Sequence, residues 1–277
     1  MESMNSAGST LLNQSSSRIA LLIDSDNVSA VHLEGVLAEL ASYGTVSVRR
    51  MYGDWTSERL RGWKDAANEH SVQPIQQFSY TTGKNATDSA LIIDAMDLLH
   101  QSTLDSFAIV SSDSDFTRLA SRLRESGARV FGFGERKTPK PFVNACDTFI
   151  YLDVLRIDES GANDSTSTET TGEASRASSD ARALGTPSRA TVKELRQDSR
   201  LMILLRAAIA AGADDDGWAH LSGVGATVQK QSPDFDSRNW GYAKLGDLID
   251  AVGLFEVDRF VEPNGNTNLR VRILKRR

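Results

Sequence analysis

Cysteine occurs once in the 277 residues, at Cys146, so the chain can close no disulfide within itself, and Cys-based zinc modules are excluded. The four histidines, His32, His70, His100 and His220, are scattered without the paired spacing of metal ligands. Any metal site must therefore draw on the 37 carboxylates, whose hard oxygen donors suit Mg²⁺ or Mn²⁺. Basic residues are not in excess: 31 Lys and Arg leave a formal net charge of −6, which excludes a generally basic, nucleic-acid-coating surface. No apolar run has the length of a membrane span, and residues 1–17 lack the basic start and apolar centre of a secretion signal. The expectation is a cytoplasmic protein that makes no membrane contact.

What is present is an ordinary folding composition, 40% apolar and 25% charged, in a chain long enough for one large domain or two average ones. Residues 1–17 read as a disordered tail. Residues 156–195 read as a flexible low-complexity linker, because Asp158 to Arg189 holds almost no large apolar side chain to offset the entropy of ordering it. Net charge differs along the chain: −5 over residues 1–155, −2 over 156–195 and +1 over 196–277.

Residues 18–155 alternate short apolar runs with helix-length periodic stretches, the pattern of βαβ units around a parallel sheet. Strands are predicted at Ile19–Ile23, Val46–Met51, Phe107–Val110, Val130–Phe133 and Phe149–Leu152, with a weaker one near Val72–Phe78. Leu33, Val36, Leu37 and Leu40 share one helical face, as do Ile92, Ala95, Met96 and Leu99, and Phe116, Leu119 and Leu123. Residues 196–277 begin with helical patterns at Leu201–Ala211, Leu221–Lys230 and Lys244–Val252. Two alternating runs, Phe255–Val261 and Leu269–Leu274, follow around an Asn264-Gly265 hairpin signal. Helices followed by a hairpin predict a small winged-helix-like domain.

Three acidic clusters fall where such a sheet places ligands. Asp24, Asp26 and Asn27 follow the first strand; Asp113 and Asp115 follow Phe107–Val110; Asp88 opens a helix behind Lys84-Asn85-Ala86-Thr87. If the strands bearing Asp24 and Asp113 are neighbours, carboxylates crowd into one notch, and two such charges ~4 Å apart repel by roughly 4 kcal/mol. Protonation or a divalent cation must offset that repulsion. A bound cation would activate water and polarise a phosphodiester. Each aspartate also fits the plainer role of a helix N-cap. Asp26 and Asp94 are expected to face solvent or pair locally, and Lys84 fits a phosphate contact or a surface lysine. In the second segment Trp218, Trp240 and Tyr242 read as core anchors. Arg270 and Arg272 lie on the polar face of the last strand, ahead of Lys275-Arg276-Arg277, and could contact phosphate.

Together, Ile19 to Val28, Asn85-Ala86-Thr87-Asp88 and Val110 to Phe116 resemble the NYN domain family of LabA and DUF88 type. The resemblance implies a PIN-like Rossmannoid fold, in which a parallel sheet is flanked by helices. It also implies ribonuclease activity and a Mg²⁺ or Mn²⁺ site on Asp24, Asp88, Asp113 and Asp115, with Asn27 supporting; Lys84 and Ser112 are candidate substrate contacts. Asp216-Gly217-Trp218, Ser232 to Asp236, Trp240 to Leu245 and Phe255-Glu256-Val257 are similar to an OST-HTH (LOTUS) domain, a winged-helix module associated with RNA or protein contacts. The implied partner is RNA, with protein partners open through the C-terminal domain. Two alternatives stand beside the nuclease. Asp24-x-Asp26 also fits the first motif of haloacid-dehalogenase-type phosphatases, and the chain fits a non-catalytic RNA-binding regulator.

Overall fold

A computed structural model of the protein describes residues 17–78, 86–101, 103–155, 189–261 and 267–274. They form two compact units, one running to Leu152 and including Gly225–Phe235, the other made of Asp153–Val224 and Asp236–Arg277. Among the described residues no helix is long and apolar enough to cross a membrane.

The first unit is an α/β layer structure. Its strands are β1 (Arg18–Asp24), β2 (Thr45–Gly53), β3 (Gln73–Gln76), β4 (Ser106–Val110), β5 (Arg129–Gly134) and β6 (Thr148–Tyr151). Interleaved with them are helices α1 (Leu33–Ala41), α2 (Trp63–Glu69), α3 (Ala86–Gln101), α4 (Thr117–Glu125) and α5 (Lys140–Ala145). All six strands pair in parallel in the order β3-β2-β1-β4-β5-β6. The central strands β1 and β4 are buried from Ile19 to Asp24 and from Ser106 to Val110 because helices flank the sheet, which explains their near-continuous apolar sequence. β3 is shorter than the run Val72–Phe78 suggests. It carries Pro74 at the sheet edge, where a missing N–H costs no ladder bond.

The core is filled by the faces that periodicity marks. Leu33, Val36 and Leu40 of α1 are buried, as are Leu119 and Leu123 of α4 with Phe116 just ahead of them, each such side chain contributing about 1.5–3 kcal/mol of burial. In α3 the deepest face is Leu91 and Ala95, with Ile92, Met96 and Leu99 packed around it. Phe116, Phe142, Phe149 and Tyr151 meet in tilted and edge-to-face contacts at centroid separations of 5.4–6.4 Å. The short helices α2 and α5 are not marked by periodicity, since six or seven residues barely complete two turns.

The remaining elements are α6 (Val192–Gln197), α7 (Ser199–Gly212), β7 (Ala219–His220), α8 (Leu221–Gln231), α9 (Leu245–Val252), β8 (Phe255–Val261) and β9 (Thr267–Ile273). β8 and β9 pair antiparallel from Phe255↔Ile273 to Val261↔Thr267, and β7 adds to β9, so helices lead into a hairpin as expected. The hairpin turn lies outside the described residues. α6 opens with a capping box: Thr191 Oγ1 accepts from the Glu194 N–H, and the Glu194 carboxylate accepts from the Thr191 N–H.

Gly132, in the middle of β5, shows how closely this sheet is covered. A Cβ there would lie 2.5 Å from the Phe149 ring and 2.6 Å from Cys146 Sγ. Gly132→Ala is therefore expected to destabilise the protein by about 1–3 kcal/mol through overpacking. Urea denaturation checks this; an unchanged midpoint would show that the core yields at this point.

Candidate metal centre

β1 and β4 are neighbours in register, with Ile23 opposite Val110. The chain proceeds from β1 toward β2 and β3 on one side, and from β4 toward β5 and β6 on the other. Their carboxyl ends therefore border the switch point, where open α/β sheets leave a ligand crevice. Asp24 ends β1, and Ser111 to Asp115 leave β4 at the same edge.

Asp24 is fully buried. Its Oδ2 accepts hydrogen bonds from Ser111 Oγ and from Asn27 Nδ2, both at 2.7 Å, while its Oδ1 has no hydrogen-bond partner among the described residues. Burial raises its pKa above the ordinary carboxylate value; the two hydrogen bonds oppose that, and Asp26 and Asp113 add to it by repulsion. Asp113 caps the 3-10 turn Ser114–Phe116 by accepting from the Asp115 N–H at 2.9 Å, so the N-cap role is realised. The cap does not exclude the other role. Asp88, Asp113 and Asp115 each offer an oxygen within 4.8 Å of the others. Asp88 is buried in the first turn of α3, and burial first, then repulsion by Asp24, Asp113, Asp115 and Asp26, push its pKa up to about 6.

Two supports escape sequence reading. Asp26 does not simply face solvent: its Oδ2 accepts from Thr87 Oγ1 at 3.0 Å, holding the residue next to Asp88. Asp94, lower on α3, accepts from Arg50 Nη1 and Tyr52 Oη on β2, both at 2.8 Å, so α3 is tied to the sheet at a second level. Ser111 was also missed. The available signal was a small hydroxyl directly after a fully buried strand, where an unpaired polar group would be costly. Ser112, by contrast, accepts from the Glu135 N–H at 2.8 Å and links the loops after β4 and β5. Lys84 lies outside the described residues. In the second unit, Arg270 pairs with Asp258 at 2.7 Å and Arg272 with Glu256 at 2.7 Å. Both guanidinium groups stack on the Trp218 ring, 4.5 and 4.4 Å from its centroid. They belong to a cross-strand lattice within the second unit.

The donor set fits a hard divalent cation. All its atoms are carboxylate oxygens, three carboxyls converge, and a fourth, buried and close enough to repel them, keeps one oxygen without a hydrogen bond among the described residues. In metal-free protein the repulsion has a measurable sign. The Asp88 carboxyl titrates near 3.9 when unfolded and at about 6 when folded, so the folded state holds this proton more tightly. Stability then falls as pH rises from about 4 to about 6. Thermal melts in EDTA should give a higher midpoint at pH 5 than at pH 7, and Asp88→Asn should shrink that difference. An identical pH slope in the variant would remove Asp88 as its source.

Comparison with known proteins places these features in families. The NYN domain model matches residues 18–153, and the OST-HTH/LOTUS domain model matches residues 196–267. Among curated proteins none matches the chain. Solved structures similar to parts of it include the following three. A protein of unknown function from Vibrio parahaemolyticus is 18% identical over 50% of this chain and 94% of its own, with a TM-score of 0.43. An uncharacterized protein from Nitrosomonas europaea is 30% identical over 38% of this chain and 95% of its own, with a TM-score of 0.27. A fragment from Chromobacterium violaceum is 31% identical over 28% of this chain and 83% of its own, with a TM-score of 0.24. Residues 18–153 of the present chain are an NYN domain, and residues 196–267 are an OST-HTH/LOTUS domain.

Proposed function

We propose that the protein is a metal-dependent endoribonuclease that hydrolyses RNA phosphodiester bonds at the carboxylate notch, with the C-terminal domain binding RNA. The observation that carries this reading is the convergence of Asp88, Asp113 and Asp115 over the buried Asp24 at the sheet's switch point. Mg²⁺ or Mn²⁺ would be held by these aspartates. Such an ion, when bound, makes water a better nucleophile near neutral pH and offsets charge on the phosphate.

The side chains have distinct tasks. Ser111 and Asn27 fix the Asp24 carboxylate by hydrogen bonds, so its charge stays at one place beneath the notch. Thr87 and Asp26 hold the first turn of α3, which presents Asp88. In the metal-free state burial and the neighbouring carboxylates hold the Asp88 proton up to about pH 6, and a cation bound there would displace it. Lys84 and Ser112 remain candidate substrate contacts, as do Arg270 and Arg272 in the second unit. The phosphatase alternative asks Asp24 to attack phosphate, and a fully buried carboxylate is poorly placed for that.

Asp113→Asn and Asp24→Asn are each expected to lower Mn²⁺-dependent cleavage of end-labelled single-stranded RNA by about 10²-fold or more. RNA retention on a filter should change far less, because the substitutions remove negative charge rather than a phosphate contact. The reading is overturned if single-stranded, structured and tRNA-like RNAs all survive the wild-type protein with Mn²⁺. Cleavage that persists in both variants would also overturn it.

A further inference from the structure

A notch of carboxylates repels the phosphate it is meant to receive, so a substrate strand needs cations at the border of the site. The segment between β2 and α2 supplies them. Arg59 lies on the 3-10 turn Glu58–Leu60 with its side chain 76% exposed, and its Nη2 stands 3.7 Å from Asp26 Oδ1. The same Asp26 holds Thr87 next to Asp88. Two residues on, Arg61 is 84% exposed and reaches Glu58 at 3.6 Å. Exposed pairs of such length hold an arginine weakly, leaving both free to exchange carboxylate for phosphate.

The backbone that carries these arginines is fixed. Leu60 is buried against Gly53, where a Cβ would come within 2.6 Å of it. That same position lies 3.6 Å from the Ser25 side chain and 3.7 Å from the Trp55 ring, so the segment adjoins the Asp24–Asp26 loop directly. Trp55 is half-buried and cannot swing: its Nε1 donates to the Ile75 carbonyl at 3.0 Å, and its N–H donates to Gln76 Oε1 at 3.1 Å. Beside it opens a cleft of about 490 Å³ whose lining includes Met51, Trp55, Glu58, Leu60, Arg61 and Lys64. An immobilised indole next to exposed cations is the usual chemistry of a platform for an unstacked base and its flanking phosphates.

We propose that Trp55–Lys64 is the strand-guiding arm of the site. Arg59 contacts a phosphate at the edge of the carboxylates, and the cleft seats the neighbouring unpaired base against Trp55, with Arg61 and Lys64 on the next phosphates. This rests on the ribonuclease reading and adds to it a substrate class, single-stranded RNA, since a paired base is stacked within its duplex and cannot enter the cleft.

The test uses the full chain in EDTA with a short single-stranded RNA carrying 4-thiouridine. After irradiation, peptide mapping should find a crosslink within Trp55–Lys64. The triple variant Arg59→Gln, Arg61→Gln, Lys64→Gln changes only exposed side chains. It should lower the yield at this segment about tenfold at 0.1 M salt, leaving any crosslinks in residues 189–274 unchanged. Annealing the complementary strand should abolish the segment's crosslink. Crosslinks confined to other segments, an equal yield with duplex, or no effect of the triple variant overturns the proposal. The two readings fail separately. Cleavage by Mn²⁺-loaded protein without this crosslink removes the arm and keeps the nuclease, whereas the crosslink without cleavage does the reverse.

Discussion

Like-charge repulsion among buried and half-buried carboxylates governs this site, and much of the surrounding structure answers to it. Two unit charges 4.8 Å apart, the span within which Asp88, Asp113 and Asp115 oxygens lie, repel by about 3–4 kcal/mol at an effective dielectric of 20. Asp24 adds a charge with no solvent around it. The fold can carry this load because Asp24 ends, and Ser111 directly follows, central strands whose apolar side chains are buried, where local distortion is expensive. The strain is divided between hydrogen bonds to Asp24 and a raised proton affinity at Asp88. A cation that binds only the folded arrangement would relieve it and stabilise the fold by mass action.

Positioning follows from the same constraint. Repulsion would push the first turn of α3 outward, since Asp88 is the one carboxylate of the converging group that rides on a separate helix rather than on the loop after β4. Two attachments oppose that motion: Asp26 to Thr87 at the helix start, and Asp94 to Arg50 and Tyr52 about two turns lower. The second uses a buried phenol whose pKa is raised by burial and by Asp94, so Tyr52 stays a hydrogen-bond donor across the working pH range. The first attachment is itself acidic, so Asp26 holds the helix start while adding to the repulsion on Asp88.

Much of this was legible in the residues. The central strands announce themselves because a sheet covered on both faces demands unbroken apolar runs, and the placement of Asp24 and Asp113 at strand carboxyl ends follows from their position after those runs; the adjacency of the two strands, only a condition in the sequence, is met by the β1–β4 pairing. What was not legible is long-range pairing. Nothing local in Asp94 indicates Arg50 and Tyr52, 44 and 42 residues away, and nothing in Asp26 indicates Thr87, 61 residues away. α2 and α5 are too short to show a period, whereas the edge strand β3 falls inside the weaker run near Val72–Phe78. For Arg270 and Arg272 the alternation placed them on one face correctly. It could not show that Asp258 and Glu256 stand opposite them in register, since that depends on where the hairpin folds back.

The register bears on how a chain of net charge −6 can engage RNA. In the second unit each wing arginine is matched by a carboxylate across the strand and stacked on Trp218, so phosphate binding there must displace two partners at once. In the first unit Arg59 and Arg61 have loose carboxylate neighbours among the described residues, at 3.7 and 3.6 Å. Desolvation and side-chain ordering make the first exchange costly and the second nearly free. Cationic contacts beside the notch are therefore the ones a strand can recruit without dismantling structure, and they lie where the carboxylates most need compensation. Global acidity then works in favour of selectivity. It keeps phosphate backbones off most of the surface and leaves them attracted to the few places where an arginine borders an unpaired base site.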